Sequence, residues 1–300
     1  MIEIEKVSKV FQNQFALKDV SLKVEEGSVF GLIGTNGAGK STLLRLLSGV
    51  MKPDQGTIQI DGTGIYENPN KKMDIFYLPD DQYFFEEANG KDMADYYSIL
   101  YPKFDKQRFL ELMDKFQLPK AKKLCTLSKG MRRQVAFILG LCANTKYLFC
   151  DETFDGLDPV MRQGIKSLIA KEVSERRFTA IIASHNLREL EDICDSVGLL
   201  HKGGILLAND VETMKRDIHK IQYVKEEGRT PEQIFDGLEI VAEKKIGKME
   251  IVTVRCDEET LLARIKNEEV TFYEILPLNL EEIFISETGV MGYDIQDIIA

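Results

Sequence analysis

The sequence predicts an α/β domain over residues 1–214, followed by a small α+β domain over residues 215–300. In the first part, short apolar runs alternate with glycine-rich turns and helical periods, which is typical of α/β domains. Near residue 215 this alternation gives way to a shorter mixture of strand-like and helical patterns. The 300 residues are 44% hydrophobic and 29% charged, so a soluble globular protein with a sizeable core is expected.

Eight strands are predicted in the first domain, each from a short apolar run bounded by turn residues. They cover residues 2–7, 16–24, 29–33, 57–60, 75–78, 147–150, 179–184 and 197–201. Between the fifth and sixth strands, residues 88–145 have helical periodicity, with helices predicted over 91–101, 106–116 and 129–143. This interval predicts a helical subdomain inserted into the sheet.

In the second domain, alternation predicts a strand over residues 249–256, and a helix follows from about 257 to 267. A further strand over 270–276 and a last helix over 280–287 complete the prediction. These elements are the basis for the α+β class of this domain.

Composition and charge exclude several classes of protein. The longest apolar stretches, such as residues 137–143, fall far below the roughly 20 residues that span a bilayer, so no membrane span is expected. The start MIEIEKVSKVF lacks the layout of a secretory signal, and the five cysteines are scattered, so we expect a cytoplasmic protein with reduced thiols. A net charge of −10 argues against nucleic-acid binding.

The strongest motif is GTNGAGKST at residues 34–42, which satisfies G-x-x-x-x-G-K-[ST] between a predicted strand and an amphipathic helix. Its glycines let successive backbone N–H groups surround a phosphate, and the helix N-terminus adds a positive dipole. A glycine-rich turn with a solvated lysine is the alternative, which the flanking strand and helix disfavour. The predicted nucleotide-binding residues are Gly34, Asn36, Gly37, Ala38, Gly39, Lys40, Ser41 and Thr42.

Within this motif, Lys40 is expected to reach the β- and γ-phosphates of ATP, and the Ser41 hydroxyl to bind Mg²⁺. The stretch FCDETFDGLDP at residues 149–159 supplies the acids that such a site needs. Asp151 is predicted to hold Mg²⁺, and Glu152 to polarise an attacking water. We expect raised carboxyl pKa values, most of all for the more buried acid. For this acidic pair alone, an exposed strand end is the alternative.

Three further motifs accompany these two: LSKGM at residues 127–131, GLDP at 156–159, and His185 directly after a predicted strand. In this order and spacing, residues 1 to about 210 resemble the ATP-binding cassette (ABC) family, specifically the nucleotide-binding subunit of a bacterial transporter. The resemblance implies a P-loop NTPase (RecA-like) core with an antiparallel β subdomain and an inserted helical subdomain. It also implies an ATPase that takes ATP and Mg²⁺.

The resemblance also implies that two cassettes, identical or different, pack head to tail around ATP. Ser128 and Gly130 would then contact the nucleotide of the opposite subunit, and Asp158 would lie in the loop that crosses the interface. His185 would contact the γ-phosphate and complete a catalytic set with Lys40 and Glu152, while Phe11 would stack on adenine. Taken alone, a serine at this place is an ordinary helix N-cap and a phenylalanine could be core.

The chain departs from the family pattern where a glutamine contacts the water and Mg²⁺. In YLPDDQ, Asp80 occupies the aligned place and Gln82 lies two residues later, so either the loop is shifted or an acid takes the role. Lys129 and Met131 also stand where glycine and glutamine are common, and Thr153 replaces a proline. None of these changes removes a group that must contact phosphate, so hydrolysis is still expected.

The expected function is ATP hydrolysis that drives a separate membrane permease, from the cytoplasmic face of the membrane. The permease is expected to dock near residues 80–100, where aromatic side chains are frequent. The end LPLNLEEIFISET resembles the extension of drug- or antibiotic-export cassettes, which favours export over import. The alternatives are a regulatory nucleotide switch with weak hydrolysis and a soluble ABC ATPase that acts on ribosomes or nucleic acid.

Overall fold

A computed structural model describes residues 1–225, 230–267 and 270–290 of the chain. The chain forms two compact units, one over Met1–Ala208 and one that begins at Asn209. The sequence placed this boundary a few residues further along, near residue 215. No helix in the part of the chain that the structure describes has the length and apolar character to cross a bilayer.

Two sheets form the first unit. The antiparallel sheet has the strand order β2-β1-β4-β5 and the larger sheet the order β10-β9-β3-β8-β7-β6. Their strands are β1 (Ile2–Phe11), β2 (Gln14–Val24), β3 (Val29–Ile33), β4 (Gln55–Ile60), β5 (Thr63–Gly64), β6 (Ile75–Leu78), β7 (Tyr147–Asp151), β8 (Thr179–Ser184), β9 (Ser196–His201) and β10 (Gly204–Asp210). All eight predicted strands are present, three of them with the predicted bounds.

Seven α-helices are described in the first unit: α1 (Lys40–Leu47), α2 (Pro69–Lys72), α3 (Gly90–Leu100), α4 (Lys106–Lys115), α5 (Lys129–Cys142), α6 (Pro159–Arg176) and α7 (Leu187–Leu190). The three helices predicted for the inserted subdomain correspond to α3, α4 and α5 within one residue at each end, and α1 is the helix predicted after the phosphate-binding motif. Helix α6 was not predicted. It has few buried apolar residues, chiefly Ile165 and Ile169, and its other buried residues are charged, so its hydrophobic periodicity is weak.

The larger sheet brings three chain segments to one edge. Strand β3 pairs in parallel with β8, with Ile33 opposite Ser184, and β8 pairs in parallel with β7, with Ala183 opposite Asp151. The carboxyl ends of β3, β7 and β8 therefore lie side by side. In open α/β sheets, ligands bind at this edge.

The core of the first unit joins the two sheets around α1. Ile2, Leu17, Phe30, Leu44 and Tyr147 are fully or almost fully buried in one continuous cluster. Helix α1 contributes four leucines to it, because Leu43, Leu44, Leu46 and Leu47 lie on the buried side of the helix. The first residues of this helix belong to the phosphate-binding motif, so packing of the four leucines fixes the position of the motif.

The second unit contains α8 (Val211–Arg216), β11 (Ile218–Lys225), α9 (Pro231–Ile234), β12 (Glu239–Ile246), β13 (Met249–Arg255), α10 (Glu258–Asn267), β14 (Val270–Leu276) and α11 (Leu280–Val290). Its sheet has the order β12-β13-β11-β14 and every pair is antiparallel. The β-α-β-β-α-β succession is the split βαβ arrangement. Strands β11 and β12 were not predicted, and β12 is largely exposed and charged, which hides its alternation.

Candidate functional site

The phosphate-binding motif forms a tight loop between β3 and α1. Gly37 and Gly39 adopt left-handed conformations, with φ of 82° and 111°, which favour glycine. A Cβ on Gly39 would lie 2.5 Å from the carbonyl oxygen of Ala16, and one on Gly34 would lie 2.4 Å from that of Leu200. The N-cap residue of α1 is Gly39, which has no side chain to cap the helix. Its first N–H groups and the helix dipole therefore suit an anion.

Lys40 lies inside this loop with only 4% of its surface exposed. Its Nζ donates hydrogen bonds to the carbonyl oxygens of Gly34, at 2.6 Å, and Thr35, at 3.0 Å. The same nitrogen is 3.1 Å from Oε1 of Glu152. The ammonium group thus connects the loop to the acid that follows β7.

Asp151 is the buried acid of the site and is 2% exposed. Its Oδ1 accepts a hydrogen bond of 3.0 Å from Ser41 Oγ, and its Oδ2 accepts one of 3.1 Å from Tyr77 Oη. Burial raises the pKa of the Asp151 carboxyl, while both hydrogen bonds act in the opposite direction. This direction is the one that the sequence predicted for the more buried acid.

Glu152 points to a different environment because its backbone is left-handed, with φ of 49°. Its N–H donates to the carbonyl oxygen of Ala183, at 3.0 Å. Its Oε2 is 3.5 Å from Nδ1 of His185, while Oε1 faces Lys40. The Glu152 side chain is 21% exposed and that of His185 is 42% exposed. A water molecule can therefore reach Glu152.

Ser41 and Asp151 together suit Mg²⁺ bound to a nucleotide. Mg²⁺ keeps several waters and typically binds one or two carboxylates together with substrate phosphates. Among the described residues, no group of three or more His, Cys, Asp or Glu side chains is arranged to hold a metal. The Ser41 hydroxyl and the single buried carboxylate of Asp151 therefore fit a metal ion that binds together with phosphate. They fit less well a metal ion that only protein groups hold.

Asp80 and Gln82, the two candidates for the glutamine position, have other partners. The Asp80 carboxylate forms an ion pair with Arg133. The Gln82 side-chain amide donates a hydrogen bond of 3.0 Å to the carbonyl oxygen of Pro79, in its own loop. Contact of either side chain with Mg²⁺ stays a prediction.

The residues predicted to contact the nucleotide of the opposite subunit, or to lie at the interface, make contacts within their own chain. Ser128 Oγ accepts a hydrogen bond of 3.2 Å from Met131 N and is the N-cap of α5. Asp158 Oδ1 accepts one of 3.0 Å from Met161 N and is the N-cap of α6. A Cβ on Gly130 would lie 3.3 Å from the carbonyl oxygen of Gly156. Their contacts across an interface stay predictions.

Phe11 lies at the end of the hairpin of β1 and β2 and is 44% exposed, so it is not a core residue. The Lys9 ammonium group is 5.6 Å from the centre of its ring. An exposed ring is available for stacking on a base, as predicted from the family resemblance. The stacking itself stays a prediction.

Sequence reasoning missed Tyr77, the second donor to Asp151. Burial and the Asp151 charge raise the pKa of Tyr77 to about 12, so it remains a neutral donor at physiological pH. The signal was a single polar group in the apolar run IFYL, on the strand next to the one that ends in Asp151.

Sequence reasoning also missed a buried acid that is hydrogen-bonded to the residue before His185. Glu189 is 3% exposed, and its Oε2 accepts a hydrogen bond of 2.7 Å from Ser184 Oγ. The same hydroxyl accepts one of 2.9 Å from Asn186 N, and Arg162 Nη2 is 3.7 Å from Glu189 Oε1. Ser184 and Asn186, which flank His185, are therefore joined by a hydrogen bond. Glu189 fixes the Ser184 hydroxyl that accepts it.

A cavity of about 760 Å³ lies away from these residues, among the segments where α3, α5 and α6 end. Its walls include Lys103, Lys146, Arg176 and Arg177. The acids Glu26 and Asp74 also line it, and Lys146 Nζ lies 3.1 Å from Glu26 Oε2, so part of this positive charge is already paired.

Comparison with known proteins places these observations in a family. The model for "ABC transporter" matches residues 17–155. The "ABC transporter ATP-binding protein YtrB" of Bacillus subtilis is 33% identical over 292 residues, which are 96% of this chain and 98% of that protein.

Two other relatives are named for transport in opposite directions. The "Methionine import ATP-binding protein MetN" of Clostridium acetobutylicum is 34% identical and covers 71% of this chain and 70% of that protein. The "Lipopolysaccharide export system ATP-binding protein LptB" of Haemophilus influenzae is 30% identical and covers 72% of this chain and 93% of that protein.

A solved structure described as "ATP binding subunit of ABC transporter" has a TM-score of 0.67 with 26% identity. It covers 72% of this chain and 92% of the other. The fold prediction, a P-loop NTPase core of the cassette type, is confirmed.

Proposed function

The chain belongs to the ATP-binding proteins of ABC transporters, a family of ATPases, and we propose that it hydrolyses ATP to power a separate membrane permease. One observation carries the catalytic part of this proposal. Lys40 and His185 both approach Glu152, while Ser41 donates a hydrogen bond to the adjacent Asp151. Phosphate binding, metal binding and water activation are thereby assigned to different side chains in one site.

The chain's own residues perform three tasks. The loop of residues 34–39 and the start of α1 bind the phosphates through backbone N–H groups, and Lys40 compensates their charge. Glu152 accepts a hydrogen bond from the attacking water and orients it towards the γ-phosphate. His185 lies beside Glu152 and supplies a further donor to the transferred phosphoryl group.

Mg²⁺ bound with ATP would neutralise developing charge on the phosphates when held by Ser41 and Asp151. Without a cation, the buried Asp151 carboxylate is disfavoured in its charged form. Its two hydrogen-bond donors orient both oxygens, so the carboxylate is placed before the metal arrives.

We propose that two cassettes, identical or related, pair around ATP, with Ser128 and Gly130 facing the opposite nucleotide and Asp158 at the interface. The support is that Ser128 begins α5 and exposes a helix N-terminus, which suits a phosphate. The capping bond from Met131 N leaves the serine hydroxyl hydrogen free to donate to a phosphate oxygen.

We propose that the permease docks beside α3, on the cytoplasmic side of the membrane. Tyr83 is 75% exposed and Ile99 81% exposed, which is unusual for large apolar side chains. Tyr83, Phe85 and Tyr96 form a chain of edge-to-face ring contacts, with centroids 6.0 and 5.0 Å apart. A contiguous aromatic surface of this kind is typical of protein interfaces.

Export is the direction that we propose, because the C-terminal stretch LPLNLEEIFISET resembles that of drug- or antibiotic-export cassettes. The relatives named for import and for export match at similar identity, so similarity to them favours neither direction. A regulatory switch with weak hydrolysis is a second candidate, favoured by the acid at position 80.

Steady-state ATPase measurements on the wild type and Glu152→Gln test the catalytic proposal. Removing the general base is expected to lower kcat by about 100-fold or more, while ATP still binds. Unchanged turnover in the variant would contradict the role of Glu152, and negligible wild-type turnover would favour the switch.

Co-purification in detergent with a polytopic membrane protein tests the transport proposal, and Tyr83→Ser should weaken that association.

A further inference from the structure

Arg133 is a buried cation whose purpose the site described above does not explain. It lies in the second turn of α5, five residues after the N-cap Ser128, and its side chain is only 1% exposed. A buried guanidinium group costs several kcal/mol, on the order of the penalty for any buried ion, unless acids or acceptors compensate it. The groups around Arg133 therefore indicate its role.

Two acids from two different loops approach the guanidinium group. Asp80, in the loop after β6, forms an ion pair with Nη2. Asp155, in the turn after β7, has its Oδ2 3.8 Å from Nη1. Within the described residues, neither Nε nor Nη1 has a hydrogen-bond acceptor. Arg133 therefore interacts with both loops through charge, and only Asp80 is close enough for a hydrogen bond.

The first turn of α5 and the turn after β7 also touch through their glycines. A Cβ on Gly130 would lie 3.3 Å from the Gly156 carbonyl oxygen, and one on Gly156 would lie 3.4 Å from Arg133 Nη1. Three segments thus converge on one side chain: the loop after β6, the start of α5, and the turn between Glu152 and Asp158. Each of these segments carries residues assigned to nucleotide or to the opposite subunit.

We propose that Arg133 is a positioning residue that fixes the start of α5 against the Asp80 loop and the Asp155 turn, and that Asp80 serves this guanidinium group instead of Mg²⁺. This inference rests on the proposed function, because it assigns the positioning to the ATP site. A neutral glutamine at position 80 could not compensate the buried charge of Arg133. The negative charge of Asp80 therefore compensates the positive charge of the buried Arg133.

Four variants test the pairing: Asp80→Asn and Arg133→Met, which each remove one partner, their double variant, and Arg133→Lys, which keeps the charge. The control is Asp81→Asn, since Asp81 is an exposed acid in the same loop. We measure kcat, KM for ATP, and the Mg²⁺ concentration at half-maximal rate. Equilibrium binding of a fluorescent ATP analogue, with and without Mg²⁺, is measured in the Glu152→Gln background, together with thermal unfolding.

Each single variant is expected to lower kcat by about tenfold through misplacement of the site, with the Mg²⁺ dependence of rate and of binding within about twofold of the parent. Because the two side chains act as one unit, the double variant should be no more than about twofold slower than the slower single variant. Arg133→Lys should recover more than half of the kcat that Arg133→Met loses. Asp81→Asn should have the same kcat and Mg²⁺ dependence as the parent.

Two outcomes overturn the proposal. If Asp80→Asn raises the Mg²⁺ requirement of binding and Arg133→Met does not, Asp80 is a metal ligand. If the effects of the two changes multiply, the residues act independently. Should Arg133→Met fail to fold, Arg133→Lys combined with Asp80→Asn completes the same comparison. A parent protein without turnover contradicts the proposed function alone, because the binding and unfolding measurements still test the pair.

Discussion

The Ser41 hydroxyl donates a 3.0 Å hydrogen bond to the Asp151 carboxylate, whose pKa burial nevertheless raises. Two donors to the carboxylate do not fully offset the loss of solvent around it. The fold therefore holds a charge that it would retain more readily beside a cation. The free energy of unfolding of the metal-free protein should therefore depend on pH.

Asp151→Asn is expected to stabilise the nucleotide-free protein at pH 7.5, by about 1 kcal/mol. A raised pKa in the folded state means that the folded protein binds more protons than the unfolded chain. Stability of the wild type is therefore lost as the pH rises from about 4, the ordinary carboxyl pKa, through the raised value. Thermal unfolding between pH 4.5 and 8 should show that the advantage of the variant shrinks as the pH falls.

Asp95→Asn is the control for this experiment, because Asp95 is 68% exposed and pairs with Lys106 at the surface. Its unfolding temperature should follow that of the wild type at each pH. A variant Asp151→Asn that is less stable at pH 7.5, or whose advantage does not depend on pH, would contradict the assignment. Its ATPase rate should fall by about 100-fold, since the carboxylate that we propose holds Mg²⁺ is gone.

Phe11→Leu is expected to weaken ATP binding by about tenfold, because a leucine cannot stack on the adenine ring. Phe15→Leu is a matched control, since Phe15 lies across the same hairpin, is 55% exposed and also has a lysine near its ring. Equilibrium binding of ATP to both variants distinguishes the two rings. Equal losses in the two variants would show a general effect on the hairpin and refute stacking by Phe11.

Glu189→Gln and Ser184→Ala are both expected to lower kcat, by about tenfold, with little change in KM for ATP. Ser184→Ala removes the 2.7 Å hydrogen bond from the Ser184 hydroxyl to Glu189, and Glu189→Gln replaces its charged acceptor by a neutral one. The same hydroxyl accepts the hydrogen bond from Asn186 N, on the other side of His185. The measurement is steady-state kinetics, with circular dichroism to verify folding. Glu175→Gln is the control, because Glu175 is 62% exposed and pairs only loosely with Lys171, at 3.7 Å. A rise in KM with unchanged kcat would place the effect in binding instead.

Where local patterns carry the information, the sequence predicted the structure well. Strands such as Val29–Ile33 and Thr179–Ser184 are fully buried and mostly apolar, as in a parallel sheet, and both have the predicted bounds. The phosphate loop needs left-handed glycines at fixed positions, so its conformation is encoded residue by residue. The sequence assigned Ser41 and Asp151 to the same Mg²⁺, and a hydrogen bond joins their side chains in the structure, while their contact with the metal stays a prediction.

Long-range partners could not be predicted, because they depend on the order of strands and on loop geometry. Arg133 and Asp80 are far apart in sequence, and nothing local to either residue indicates that the guanidinium group is buried. Helix α6 and strand β12 were missed for another reason. Their exposed and charged residues weaken the periodicity on which such predictions depend.

The left-handed backbone at Glu152 separates its side chain from that of Asp151, but it also strains a residue with a Cβ. Such a conformation costs about 1 kcal/mol or more, and glycine or asparagine would adopt it more easily. Exchange of Glu152 for either residue would relieve this strain, but it would also leave the buried Lys40 ammonium group without its carboxylate partner. Backbone strain and the ion pair with Lys40 therefore act in opposite directions on the stability of any variant at this position.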